Sequence, residues 1–238
     1  VSTFDRFAWF YPVLIFYALL YVPTFALASA LSFRHLQNTS KQFPRVRVWG
    51  TVGWILVGPI ISYFDLETTA VPMRISAGAS FFQALFCLQL PHTPPQATQS
   101  HKTLRDFLGP EVLALLQKRS FAILIACLVL ISIPSGFYYT FTNSFLTQIG
   151  VEDAAGTMSI GQGSEIVLML LMPWFFVRMR FKWIIGLGLF FWGIRYAFFA
   201  YGNADERIWM LYLGILLHGA AYSFSFLTAQ IYIDRIVP

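Results

Sequence analysis

Few side chains in this sequence combine reactive chemistry with an apolar setting. Glu165 is the clearest. It closes the stretch Ser159-Ile-Gly-Gln-Gly-Ser-Glu165, with Gln162 three residues earlier on the same helical face. A carboxyl inside an apolar span is costly and is a functional hypothesis by default. It can carry a proton reversibly and accept hydrogen bonds from ligand hydroxyls, or it can be a structural group bonded to a neighbouring helix. Gly161 and Gly163 flank Gln162 and would let a helix or ligand approach closely. Arg47, Thr51 and Trp54 follow an i, i+4, i+7 pattern that puts a cation, a hydroxyl and a flat ring on one face, although Arg47 alone also fits an anchor at the cytoplasmic boundary.

His218 and Tyr222 are i, i+4 neighbours. A histidine there can exchange protons or bridge two helices by a hydrogen bond. Arg195 is a structural or charge-partner candidate. It either pairs with an acidic group or ligand inside a bundle or snorkels to the outer interface. Tyr138, Tyr139, Thr140, Thr142 and Asn143 form a polar run, in which Tyr139 and Asn143 are candidate ligand contacts and Asn143 is equally a cap. No nucleophile constellation, phosphate loop or metal-ligand spacing accompanies them, so neither catalysis nor a metal or cofactor is expected. Cys87 and Cys127 lie in apolar runs and read as small hydrophobes.

The elements that must position these groups are membrane spans. Crossing a bilayer takes about 20 apolar residues. Seven stretches qualify, roughly Phe7–Phe33, Val48–Phe64, Val71–Leu90, Phe121–Thr147, Thr157–Val177, Trp183–Tyr201 and Ile208–Ile233. Most of the 16 Lys and Arg fall in alternate connections, at Arg34–Arg47, Lys102–Arg119, Arg178–Lys182 and Arg235. The other connections hold Asp65, Glu67, Glu152, Asp153, Asp205 and Glu206. The basic set is therefore cytoplasmic, and the first span runs inward. Glu165 lies 13 residues before Arg178, about 20 Å from the cytoplasmic end. A polar linker from Pro91 to Ser100 leads into a rough amphipathic stripe, Thr103–Gln117, suited to the cytoplasmic membrane surface. The division is thus 1–90, a connecting 91–120, and 121–238.

Composition agrees. The 238 residues are 57% hydrophobic, 18% aromatic and only 11% charged, with mean hydropathy +0.64. Soluble domains carry about a quarter charged residues, so a water-soluble globule and a disordered chain are both excluded. The net charge of +5 reflects cytoplasmic loops, and no nucleic-acid partner is expected.

Specific motifs then narrow the reading. Tyr21-Val-Pro-Thr24, Leu31-Ser-Phe33 and above all Phe43-Pro-Arg-Val-Arg-Val-Trp-Gly-Thr-Val-Gly-Trp54 resemble the nucleoside:proton symporter family of the major facilitator superfamily. So do the Ser159–Glu165 segment, Gly193-Ile-Arg-Tyr-Ala-Phe-Phe-Ala-Tyr-Gly202 and His218-Gly-Ala-Ala-Tyr-Ser-Phe224. The resemblance covers nearly the whole chain. It implies an all-α polytopic fold, with the seven spans corresponding to helices four to ten of twelve and the Val1 start read as a cut. It implies that Arg47, Thr51, Trp54, Gln162 and Glu165 contact a nucleoside. At positions where family permeases have Gln and Asn on helix seven, this chain has Gly136 and Tyr139. Where they have Tyr, Phe and Asp on helix ten, it has His218, Tyr222 and Ser223.

The resulting expectation is a secondary transporter in a bacterial inner membrane, probing both sides by alternating access. Its partners are a nucleoside, protons and lipid, its full-length form is a monomer, and Glu165 and His218 handle the proton. A proton-coupled sugar or polyol transporter is the alternative within the superfamily. A seven-helix receptor fits the orientation, outside first and inside last, but the three-plus-four division of spans favours a transporter, and a membrane enzyme lacks a catalytic cluster.

Overall fold

The computed structural model describes residues 6–64, 66, 69–94, 114–151 and 154–236. All regular structure among them is helical. This follows from the apolar composition, because only a helix or a closed barrel satisfies every backbone group within hydrocarbon. The helices are α1 (Phe7–His35), α2 (Thr39–Tyr63), α3 (Val71–Cys87), α4 (Arg119–Gln148), α5 (Ala154–Arg178), α6 (Phe181–Tyr201) and α7 (Ile208–Ile236). Five of them, α1 and α4 to α7, are long and apolar enough to cross a membrane. Linker residues 95–100 and most of the expected amphipathic stretch Thr103–Gln117 lie outside the described residues.

Two boundaries differ from the apolar pattern, each for a local reason. Helix α2 begins at Thr39 rather than Val48 because Asn38 and Gln42 cap it reciprocally. The Asn38 side chain accepts from the Lys41 N–H at 3.1 Å, and the Gln42 side chain accepts from the Asn38 N–H at 3.0 Å. Helix α3 stops at Cys87 rather than Leu90. Pro91 disfavours helical backbone at the residue before it. Helix α4 ends in a Schellman arrangement. Gly150 takes φ 89°, its N–H reaches Thr147 O, and the Val151 N–H reaches Leu146 O.

The residues group into two compact units, Val1–Gln37 with Leu56–Gln96, and Asn38–Ile55 with Ala97–Pro238. In the first, α1 and α3 bury no side chain. The end of α1 is tied to the segment after α3 by Arg34 donating to Pro94 O and by a 3.0 Å contact between His35 and Thr93.

In the second unit α7 is the central element. More of its apolar span is buried than of the spans of α5 and α6. Glycines let its backbone approach both neighbours. A Cβ at Gly219 would meet the backbone of Ser164 and Glu165 on α5, and one at Gly161 would lie 2.9 Å from Ile215 O. On the other side, a Cβ at Gly188 of α6 would lie 2.6 Å from Ser225 N. There α7 widens into a π turn, Ser223–Leu227. The Thr228 hydroxyl donates to Ser223 O at 3.0 Å and so satisfies a carbonyl of the widened turn. Small residues at helix contacts are the usual means of close packing in lipid.

Candidate functional site

Four helices of the second unit, α2, α4, α5 and α7, bring polar side chains together around His218, which is fully buried on α7. Helix α5 contributes Glu165, whose Oε2 lies 3.2 Å from His218 Nε2. The residue three positions earlier, Gln162, places its amide nitrogen 3.2 Å from the same Nε2. Helix α2 contributes Thr51, whose hydroxyl donates to Glu165 Oε1 at 3.0 Å. One turn before it, Arg47 donates to the Tyr222 hydroxyl at 2.6 Å. Helix α4 contributes Tyr138, stacked on the imidazole at 4.8 Å between ring centroids, and Tyr139, edge-on at 5.8 Å with its hydroxyl 3.4 Å from Nε2.

The close approach of α5 and α7 makes this geometry possible. The Ser164 hydroxyl donates to Gly161 O at 2.7 Å and accepts from the Gly219 N–H at 3.0 Å. Ser164 and Gly219 immediately precede and follow Glu165 and His218 respectively in the chain, so this clasp sets the spacing of the carboxyl and imidazole.

Proton accounting limits what the cluster can be. Nε2 can donate one proton or accept one, and it faces a carboxyl, an amide and a hydroxyl. If Nε2 carries the proton, it donates to the Glu165 carboxylate. If Glu165 carries it, the carboxyl donates to Nε2. With Nδ1 protonated in both, the two states, imidazolium–carboxylate and imidazole–carboxylic acid, differ by one proton moved across 3.2 Å. Nδ1 has no hydrogen-bond partner among the described residues.

Seven of the residues expected from sequence form one contact network: Arg47, Thr51, Tyr139, Gln162, Glu165, His218 and Tyr222. Trp54 and Asn143 stand apart from it. Trp54 is 49% exposed and has no ring or hydrogen-bond partner among the described residues. Asn143 is exposed, and its carbonyl accepts the Thr147 hydroxyl at 3.1 Å. Periodicity put Trp54 on the face of Arg47 and Thr51 but did not fix how far along the helix that face stays covered. Arg195 is fully buried and so does not snorkel, and among the described residues no carboxylate pairs with it. Sequence reasoning named Tyr138 only as part of a polar run and gave Ser164 and Gly219 no role. Ser164 and Gly219 carried a usable signal, since small residues beside functional groups on two spans mark close helix contact.

With this geometry in view, comparison with known proteins is informative. The family model described as "Nucleoside H+ symporter" matches residues 2–238. The chain is 42% identical over 241 residues to the putative nucleoside transporter YegT of Escherichia coli (strain K12), covering 98% of this chain and 56% of that protein. It is 29% identical over 240 residues to nucleoside permease NupG of the same organism, covering 94% and 57%. A crystal structure of a mutant of the nucleoside transporter NupG superposes with a TM-score of 0.71 at 28% identity, covering 92% of this chain and 58% of that one. The chain thus spans a little over half the length of the relatives it matches. Its fold is that of a partial, multi-pass integral membrane protein of the major facilitator type. The chain belongs to the nucleoside H+ symporter family.

Proposed function

We propose that this chain is part of a proton-coupled nucleoside transporter of a bacterial inner membrane, working by alternating access. The observation that carries this reading is the Glu165–His218 pair, 3.2 Å apart in a buried setting and linked through Thr51 to α2. A carboxyl and an imidazole in contact can pass a proton by breaking one O–H and forming one N–H, and no other reactant is needed. The same carboxylate and Gln162 present acceptors and donors suited to ribose hydroxyls. Tyr139 and Trp54, each about half exposed, offer faces on which a base can stack.

In this reading Arg47, Thr51, Trp54, Tyr139, Asn143, Gln162, Glu165, His218 and Tyr222 line the route of the nucleoside. Substrate binding must exchange internal bonds for bonds to substrate, because Arg47 is held by Tyr222 and Thr51 by Glu165. Residues 1–90 close an N-terminal bundle, 91–120 connect, and 121–238 begin a C-terminal bundle. Alternating access arises as the bundles rock about the site in a monomer. Family membership supports transport rather than catalysis.

The test is uptake of labelled nucleosides by cells expressing the full-length gene product, with the pH of a weakly buffered medium recorded. Nucleoside entry accompanied by alkalinisation of the medium is expected. Uptake of a sugar or polyol with no nucleoside entry would overturn the assignment.

A further inference from the structure

Arg195 is the largest fully buried side chain in the described structure. Its Nε donates to Gly214 O at 2.8 Å, whereas Nη1 and Nη2 have no hydrogen-bond partner among the described residues. Around the guanidinium stand three rings, Tyr138 at 4.1 Å, Trp192 at 4.8 Å and Phe199 at 5.8 Å from its carbon. Ring faces compensate part of the lost hydration. Even so, a cation at this depth is expensive, and an apolar side chain of similar volume would fill the space at less cost. Packing alone therefore gives no reason for an arginine.

Its two principal contacts both lead to His218. Tyr138, against which the guanidinium lies, is stacked on the imidazole with only 22° between the planes. Gly214, whose carbonyl Arg195 holds, is one helical turn before His218 on α7. One side chain on α6 thus fixes the ring beside the imidazole and the helical turn that carries it.

We propose that Arg195 is a positioning residue for the Glu165–His218 pair, acting through the ring of Tyr138 and the carbonyl of Gly214. The proposal rests on the reading that this pair carries the coupled proton. It locks the imidazole plane so that Nε2 faces the carboxyl while Nδ1 stays without a partner. The groups around the imidazole are Tyr138 and Tyr139 on α4, Gln162 and Glu165 on α5, Trp192 on α6 and Tyr222 on α7. Arg47 touches the cluster only through Tyr222. Arg195 is the one that makes no direct contact with the imidazole while holding two structures that set its orientation.

The experiment compares proton-driven accumulation with nucleoside exchange in the full-length transporter, because exchange requires no net proton movement. Arg195→Gln should lower accumulation by about 100-fold, the scale for a misplacement of about 1 Å, while exchange falls far less. Arg195→Lys should recover part of the loss, since an ammonium can also sit over the ring. Tyr138→Leu, which removes the ring and keeps the arginine, should reproduce the split, and the double variant should be no worse than either single one. If Arg195→Gln is poorly folded, Tyr138→Leu decides the matter. An unchanged ratio of accumulation to exchange in a folded variant overturns the proposal. Glu165→Gln is measured alongside. If it retains coupled accumulation, the proton-pair reading itself fails. If it loses coupling while Arg195→Gln keeps it, only the role of Arg195 fails.

Discussion

Gly219→Ala tests how the backbone sets the proton pair. An added Cβ would lie 2.5 Å from both Glu165 N and Ser164 O, against the carbonyl carbon of Ser164 as well. Carbon contacts are comfortable at about 3.5–4.0 Å, so α5 and α7 must part locally by about 1 Å. The obstructing atoms are backbone, and no side-chain rotation relieves them. Overpacking of this kind costs about 1–3 kcal/mol. Moving the helices apart by that amount would stretch the 3.2 Å His218–Glu165 contact to about 4 Å, beyond hydrogen-bond range. It would also break the 3.0 Å bond from Gly219 N–H to Ser164. The assay pairs thermal unfolding of the purified full-length transporter with proton-driven uptake. A lower melting temperature and a loss of coupled uptake of up to about 100-fold are expected. Gly186→Ala is the control. No atom lies within 4 Å of its Cβ position, and helix propensity should favour alanine by up to about 1 kcal/mol. Wild-type stability and uptake in Gly219→Ala would refute the argument that this close approach sets the pair.

Other substitutions probe separate links. Gly188→Ala places a Cβ 2.6 Å from Ser225 N in the π turn, and a loss of about 1–3 kcal/mol in stability should appear in thermal unfolding. Ser164→Ala removes a hydroxyl that bonds on both sides, to Gly161 O and from Gly219 N–H, and should destabilise by about 1–3 kcal/mol by leaving a buried N–H without its partner. Thr51→Val keeps the shape but removes the 3.0 Å donor to Glu165. A loss of about 1.4 kcal/mol, or tenfold, in nucleoside affinity is expected in equilibrium binding, within the range for a buried group left unpaired.

The helical class and most spans are legible in the sequence because long apolar runs leave the backbone only one local solution. Helix ends are less legible. Residues 39–47 are polar enough to read as a loop, yet the Asn38–Gln42 cap carries the helix through them. Glu165, Gln162, His218 and Tyr222 stand out because an ionisable or amide group in an apolar run needs a partner. Which partner each one takes depends on the rotation and depth of four helices, and neither is encoded in single-span periodicity. For the same reason Arg195 reads from sequence as an ion-pair or interfacial group, whereas the structure surrounds it with rings from α4 and α6. Tyr138 lies beside Tyr139 in the chain, but its neighbour's exposure gives no hint that Tyr138 itself is fully buried against His218.

The most direct measurement is proton movement accompanying nucleoside uptake in the Glu165→Gln form of the full-length transporter. Glutamine keeps the shape and an acceptor for Thr51 but cannot exchange a proton with His218. Loss of proton-coupled accumulation, with medium pH no longer responding to nucleoside, is the predicted result. Coupled uptake indistinguishable from wild type would contradict the assignment of the proton to the Glu165–His218 pair.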